Sequence, residues 1–162
     1  MLVVDSREHW TQPSSRDKKL KTYFDRHNIL YRVEKLDVGD YMLDGGSISV
    51  DRKQDLEELA KNLTNRNDNA RFMREVRRAW SKHIRLVVLI EARGIKTTDD
   101  VLRWRSDHTI VNGSLLIREM FSITMAYGVQ FEFCDPNSTG RRIMEILTGK
   151  GEQHEASRNH KS

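Results

Sequence analysis

The chain has 162 residues, with 28 Lys or Arg against 24 Asp or Glu, a formal net charge of +4 and a sequence pI near 9.3. One domain with its own core and a polyanionic partner fit these values. The lone Cys134 excludes an intramolecular disulfide, the six histidines lack paired ligand spacing and so argue against zinc, and no apolar run approaches the roughly 20 residues of a membrane span.

In chain order, Leu2 to Asp5 reads as a short buried strand that runs straight into charge, without the pattern of a signal peptide, so a cytoplasmic protein is expected. Ser14 with Asp17 starts a helix to about His27, whose apolar side is Leu20, Tyr23, Phe24 and His27. Ile29 to Leu36 alternates as a strand, and a hairpin follows it. Leu56, Leu59, Ala60 and Leu63 mark a short helix, and a second helix runs from about Asn69 to Lys82. A strand from Leu86 to Glu91 precedes a small helix from Thr98 or Asp99 to Arg105 and a longer one from Asn112 to Tyr127. Val129 to Cys134 is a strand, and Pro136 opens a last helix that ends near Thr148-Gly149. The domain therefore spans 1–148, and 149–162 is expected to be a polar, disordered tail. Strands interleaved with helices predict an α/β fold around a mixed sheet flanked by helices, with the hairpin as its antiparallel part.

The hairpin carries the chemistry. Asp40 and Asp51 stand eleven residues apart around Asp44-Gly45-Gly46, and Lys53 follows Asp51 by two. A Gly45-Gly46 turn puts Asp40 directly opposite Asp51, whereas an Asp44-Gly45 turn makes Asp51 its diagonal neighbour on the same face. Opposed residues have Cβ atoms about 4.5–5.5 Å apart and diagonal ones about 7–8 Å, so either register lets both carboxylates share one cation. Alternation puts Lys53 on the face of Asp51 and turns Arg52 away, toward packing or an ion pair. Two acids and a lysine on one sheet face point to metal-assisted phosphodiester chemistry. A solvated hairpin face is the plain alternative.

Two helices add to this. Arg71, Arg74, Arg78 and Lys82 share one sector of the helix from Asn69, opposite Phe72, Met73, Val76, Ala79 and Trp80. Such a stripe suits a DNA phosphate backbone, or is an ordinary solvated face. From Ser114 to Ala126 the apolar residues surround the axis, which predicts either burial between the sheet and the last helix or a subunit interface.

These residues together resemble the nuclease domain of the XPF family of structure-specific DNA endonucleases. The family motif G-D, variable stretch, E-R-K-x-x-x-D is met by Gly39-Asp40 and Asp51-Arg52-Lys53, with Asp for Glu, and its last acid falls on Glu57. The family's D-x-R-E matches Asp5-Ser6-Arg7-Glu8, and its strand ending in I-E matches Leu86 to Glu91. The same pattern is similar to the wider PD-(D/E)xK superfamily. The resemblance covers Met1 to about Leu147 and implies a restriction-endonuclease-like fold with Asp40, Asp51, Lys53, Asp5, Glu8, Arg52 and Glu57 around the catalytic site. It further implies Mg²⁺ on Asp40 and Asp51, with Mn²⁺ able to substitute, and cleavage of branched, flap or forked DNA by a homodimer. The tandem helix-hairpin-helix modules common in the family are missing from the sequence, so the chain looks like the compact stand-alone form of bacteriophages and mobile elements, placed in the host cytoplasm if phage-encoded. A catalytically silent DNA-binding partner subunit and a Holliday-junction resolvase or recombination nuclease are the rival expectations.

Overall fold

The computed structural model describes residues 1–8, 10 and 15–150. Strands β1 (Leu2–Asp5), β2 (Tyr31–Glu34), β3 (Tyr41–Leu43), β4 (Ile48–Lys53), β5 (Arg85–Glu91) and β6 (Gln130–Cys134) form one sheet in the order β2-β1-β3-β4-β5-β6. Pairing is parallel for β1–β2, β4–β5 and β5–β6, and antiparallel for β1–β3 and β3–β4. Only β3 therefore runs against the other five. The carboxyl ends of β1, β4, β5 and β6 and the start of β3 meet at one end of the sheet, where α/β folds open their ligand crevices.

Among the described residues six α-helices cover the faces: α1 (Ser15–Arg26), α2 (Leu56–Thr64), α3 (Arg66–Ser81), α4 (Thr98–Val101), α5 (Gly113–Tyr127) and α6 (Thr139–Thr148). Alternation along β5 divides the core in two. Leu86, Val88 and Ile90 meet α2, α3 and α5 through Leu59, Leu63, Phe72, Val76, Leu116 and Met120. Val87 and Leu89 join Val4, Tyr41 and Val50 against Leu20, Phe24, Ile143 and Ile146 of α1 and α6. This is the expected mixed α/β architecture with helices on both faces.

Several expected boundaries move for local reasons. α3 starts at Arg66, earlier than Asn69, because the Asn65 side chain accepts the amides of Asn67 and Asp68. Pro136 does not open the last helix: Asp135 accepts the Asn137 amide through its side chain and the Ser138 amide through its carbonyl, which spends those residues on a turn. The helix expected to reach Arg105 stops at Val101. α5 does not lie between the sheet and the last helix. It packs against α2, α3, α4 and β6, whereas α6 sits with α1 on the other face. Phe121 and Met125 are left 65% and 70% exposed on its outer side, and Trp80, expected on the buried side of α3, is 59% exposed beside Tyr127. Among the described residues no helix is long and apolar enough to cross a membrane. The expected tail beyond Lys150 and the Ser14 cap lie outside the described residues.

Candidate active site

β3 pairs with β4 through Tyr41↔Val50 and Met42↔Ser49, and just before β3 Asp40 comes beside Asp51: its amide donates to the Val50 carbonyl and its Oδ2 accepts the Arg52 amide, both at 2.8 Å. The turn itself is built on Asp44-Gly45, since the Gly46 amide donates to the Leu43 carbonyl and Gly45 takes φ +68°. The sequence offered that turn with a diagonal pair, but Gly46 and Ser47 lengthen the loop and restore the Tyr41↔Val50 register, which the Gly45-Gly46 reading had given. On the β1–β3 side Asp5 lies beside Asp40, tied by an Asp5 amide bond to the Asp40 carbonyl at 2.8 Å. Asp5, Asp40 and Asp51 thus stand in a row across three strands.

Their partners separate them. Asp5 is fully buried and already occupied: it accepts the Arg7 amide and Nε at 2.7 Å each, Arg7 Nη2 at 3.0 Å and the Leu36 amide at 2.8 Å. Burial works to raise its carboxyl, but the Arg7 and Leu36 bonds outweigh it and hold the pKa below the ordinary value. Asp40 spends only Oδ2, on the Arg52 amide at 2.8 Å. Its Oδ1 makes no hydrogen bond among the described residues. Burial first, then the charges of Asp51 and Glu8, push the Asp40 carboxyl well above its usual range. Asp51 is buried and bonds Lys53 Nζ through Oδ1 at 3.0 Å. Its Oδ2 lies 2.9 Å from the same ammonium yet without hydrogen-bond geometry. Lys53 is held above its ordinary pKa, because the charge and bond of Asp51, with Asp40 and Glu58 behind, overcome the burial that would lower it. The site thus holds two carboxylates, each with an oxygen lacking a hydrogen bond, and a buried ammonium between them and Phe72, whose ring lies 5.7 Å from Nζ.

That arrangement suits a hard divalent cation, since both spare donors are carboxylate oxygens. Among the described residues no three His, Cys, Asp or Glu side chains converge to hold a metal by themselves, so two carboxylates would have to share it with backbone carbonyl and water.

The other expected site residues fall elsewhere. Arg52 projects to the opposite face of the sheet, where its guanidinium meets Asp17 at 2.8 Å, Glu91 at 3.5 Å and Glu8 at 3.9 Å. Glu8 also accepts the Tyr41 hydroxyl at 2.6 Å, and burial raises its carboxyl. Alternation on β3 and β4 sends both groups there. Glu57 is turned from the cluster and accepts from the Ser106 hydroxyl and the Asp107 amide, each at 2.9 Å. One residue on, Glu58 is the acid that adds its charge beside Lys53.

A groove of about 480 Å³ is lined by Arg7, Glu58, Lys61, Phe72, Glu75 and, from the expected stripe, Arg71, Arg74 and Arg78; Asp40, Asp51 and Lys53 do not line it, and it reaches them through Phe72 beneath Lys53 and Glu75 on Gly39. Lys82 is not part of it and pairs with Asp37. Arg71 pairs with Asp68 and Arg78 donates to the Asp37 carbonyl, while Arg74 makes no ion pair among the described residues. Sequence reading missed Arg7 and Lys61 as groove cations, and it missed Glu75. Glu75 was legible: three residues after buried Phe72 and four before buried Ala79, it puts a carboxylate at the border of the buried side of α3.

Residues 4–143 match the family model of the ERCC4 domain. Among solved structures, XPF from Aeropyrum pernix is similar with a TM-score of 0.64 at 20% identity, over 98% of this chain and 68% of that one. XPF from Aeropyrum pernix in complex with DNA gives a TM-score of 0.64 at 19% identity, over 94% of this chain and 65% of that one. At these identities the likeness is one of fold, and the chain spans about two thirds of those chains. A search of curated proteins gives no match.

Proposed function

We propose, for a chain that belongs to the ERCC4 domain family of XPF-type nuclease domains, that it is a Mg²⁺-dependent endonuclease acting on branched, flap or forked DNA. The observation that carries this reading is Asp40 beside Asp51, each with one oxygen lacking a hydrogen bond, together with Lys53 and a nearby groove walled by arginines. Asp40 and Asp51 would hold the cation, which when bound supplies charge neutralisation at the attacked phosphate and an acidified water. The chain's own groups do the rest. Lys53, kept protonated by Asp51, orients the attacking water or offsets the charge that develops on the phosphate oxygens. Arg52 ties β4 to α1, to the end of β5 and to the segment after β1 through Asp17, Glu91 and Glu8, and takes no part in the chemistry. Arg71, Arg74, Arg78 and Lys61 receive phosphates along the groove. The intact acid pair with its lysine favours this reading over a silent partner subunit.

Incubating the protein with Mg²⁺ and end-labelled linear, flap, fork and four-way DNA tests the reading. Cleavage of branched substrates that stops in chelator supports it. Binding without cleavage supports the silent subunit, and four-way junctions cut in preference to flaps support the resolvase.

Changing Arg74 and Arg78 together to Glu should weaken DNA binding and flatten its salt dependence, by about 0.9 in the log–log slope for each phosphate no longer neutralised. Binding titrations across a salt series measure it. An unchanged slope would return both arginines to the solvated surface.

A homodimer belongs to the same proposal. Phe121 and Met125 face outward on α5, and a recess of about 390 Å³ between Ile117, Phe121, Thr124 and Phe131 adjoins them at the β6 edge of the sheet. Apolar association of this kind is little affected by salt. Light scattering should therefore give twice the chain mass at low and high salt alike, and Phe121→Glu should give the monomer. A monomeric wild-type chain at both salts would sink the dimer.

A further inference from the structure

We infer that Glu75 is a positioning residue of this site: from α3 it holds the backbone of Gly39 and thereby sets the Asp40 carboxylate opposite Asp51. The inference rests on the nuclease reading above. The Gly39 amide donates to Glu75 Oε1 at 2.6 Å. Gly39 takes φ +70°, a conformation that favours glycine, and a Cβ there would come within 2.1 Å of Ser49 Oγ. The chain is therefore bent sharply just before Asp40, at a residue with no side chain to anchor it.

The ties on either side of Gly39 come mainly from the sheet, with Arg78 of α3 holding the Asp37 carbonyl two residues earlier at 2.6 Å. The Asp40 amide donates to the Val50 carbonyl and its carbonyl accepts from Asp5, both at 2.8 Å, and Ser49 Oγ donates to the Val38 carbonyl at 2.7 Å. Glu75 adds a tie from the helical layer. The helix that supplies it also lines the groove with Arg71, Arg74 and Arg78, so one rigid element connects the phosphate-binding arginines to the carboxylate pair.

A carboxylate is an unfavourable acceptor to place here, since burial and the charge of Asp51 both raise its pKa. What it offers over an uncharged acceptor is a charge-assisted bond, about twice as strong as a neutral one. The bend is thus held harder than packing alone would hold it. A shift of about 1 Å in a reacting group costs about 10²-fold in rate, so the strength of this bond bears on turnover.

The test compares the full-length wild type with E75A and E75Q, by cleavage kinetics and by calorimetric titration with Mn²⁺. E75A should lower kcat by about 10²-fold at unchanged KM for DNA. Its Mn²⁺ affinity should fall about 10–100-fold, as when a ligand loses its outer hydrogen-bond partner. E75Q keeps a neutral acceptor for the Gly39 amide and should recover part of both, falling between E75A and wild type. A Glu75 that only supports the fold would lower melting temperature without moving Mn²⁺ affinity. Wild-type affinity and kcat in E75A, or E75Q as impaired as E75A, would overturn the inference. If the wild type binds Mn²⁺ but cuts no DNA, the nuclease reading fails while the affinities still decide the role of Glu75. A wild type that binds no Mn²⁺ overturns both.

Discussion

Asp51→Asn should reduce Mg²⁺-dependent cleavage by about 10³-fold or more, the rate equivalent of several kcal/mol of metal-borne charge stabilisation. The substitution removes the charge of the carboxylate whose Oδ2 makes no hydrogen bond, and with it one of the two donors proposed for the cation. Folding should survive. Asp40 and Glu58 remain as charges beside Lys53, and Asp40 is freed from the repulsion of Asp51. DNA binding should be unchanged or slightly tighter, because one negative charge leaves a surface that receives phosphates. Asp51→Glu restores the residue of the family motif and should keep substantial activity. Single-turnover cleavage in Mg²⁺, alongside thermal unfolding of each variant, separates these effects. Near-normal turnover by Asp51→Asn would remove Asp51 from the chemistry.

Arg52→Ala should destabilise the fold by about 3–5 kcal/mol, the usual cost of breaking a buried ion pair from one side. The Arg52 side chain is 5% exposed and binds Asp17, Glu91 and Glu8 together from β4. Glu91 keeps the Thr139 hydroxyl at 2.9 Å but loses its cation. For a domain of this size the change corresponds to a melting temperature lower by on the order of 10 °C. Arg52→Lys should recover only part of it, since an ammonium lacks the planar fork that serves three carboxylates at once. Cleavage per folded molecule, measured below the melting transition, should stay near wild type. An unaltered melting temperature with cleavage abolished would move Arg52 from the brace to the reaction.

The two variants differ because β4 alternates. Asp51 and Lys53 face α2 and α3, while Val50 and Arg52 face α1 and α6. A period of two is read directly from sequence, so the division of Asp51-Arg52-Lys53 between the two faces was legible from the residues alone. The facing of Asp40 and Asp51 was legible only as one of two registers. Asp44-Gly45 makes the turn, yet Gly46 and Ser47 decide the register, and that depends on a loop conformation two glycines leave open.

Helical neighbours were harder. Glu57 and Glu58 differ by about 100° around α2. Motif spacing pointed to Glu57, but the segment after α4 engages it through Ser106 and Asp107, and Glu58 turns toward Lys53 instead. Asp5 was read correctly as an acid at a strand end. That Arg7 and the Leu36 amide occupy all of it depends on a loop 31 residues away. Glu75 meets Gly39 across 36 residues, so only its place at the edge of an apolar stripe could have marked it. The period of β4 was readable, and the pairings that needed the folded loops were not.

In the proposed mechanism Asp40 and Asp51 jointly hold the cation that cleavage requires. An anomalous difference map from crystals of the chain soaked in Mn²⁺, at a concentration that supports cleavage, tests it most directly. The expected result is a peak at the Asp40–Asp51 pair that is absent in Asp51→Asn. Full cleavage activity at that concentration with no peak at the pair would contradict it.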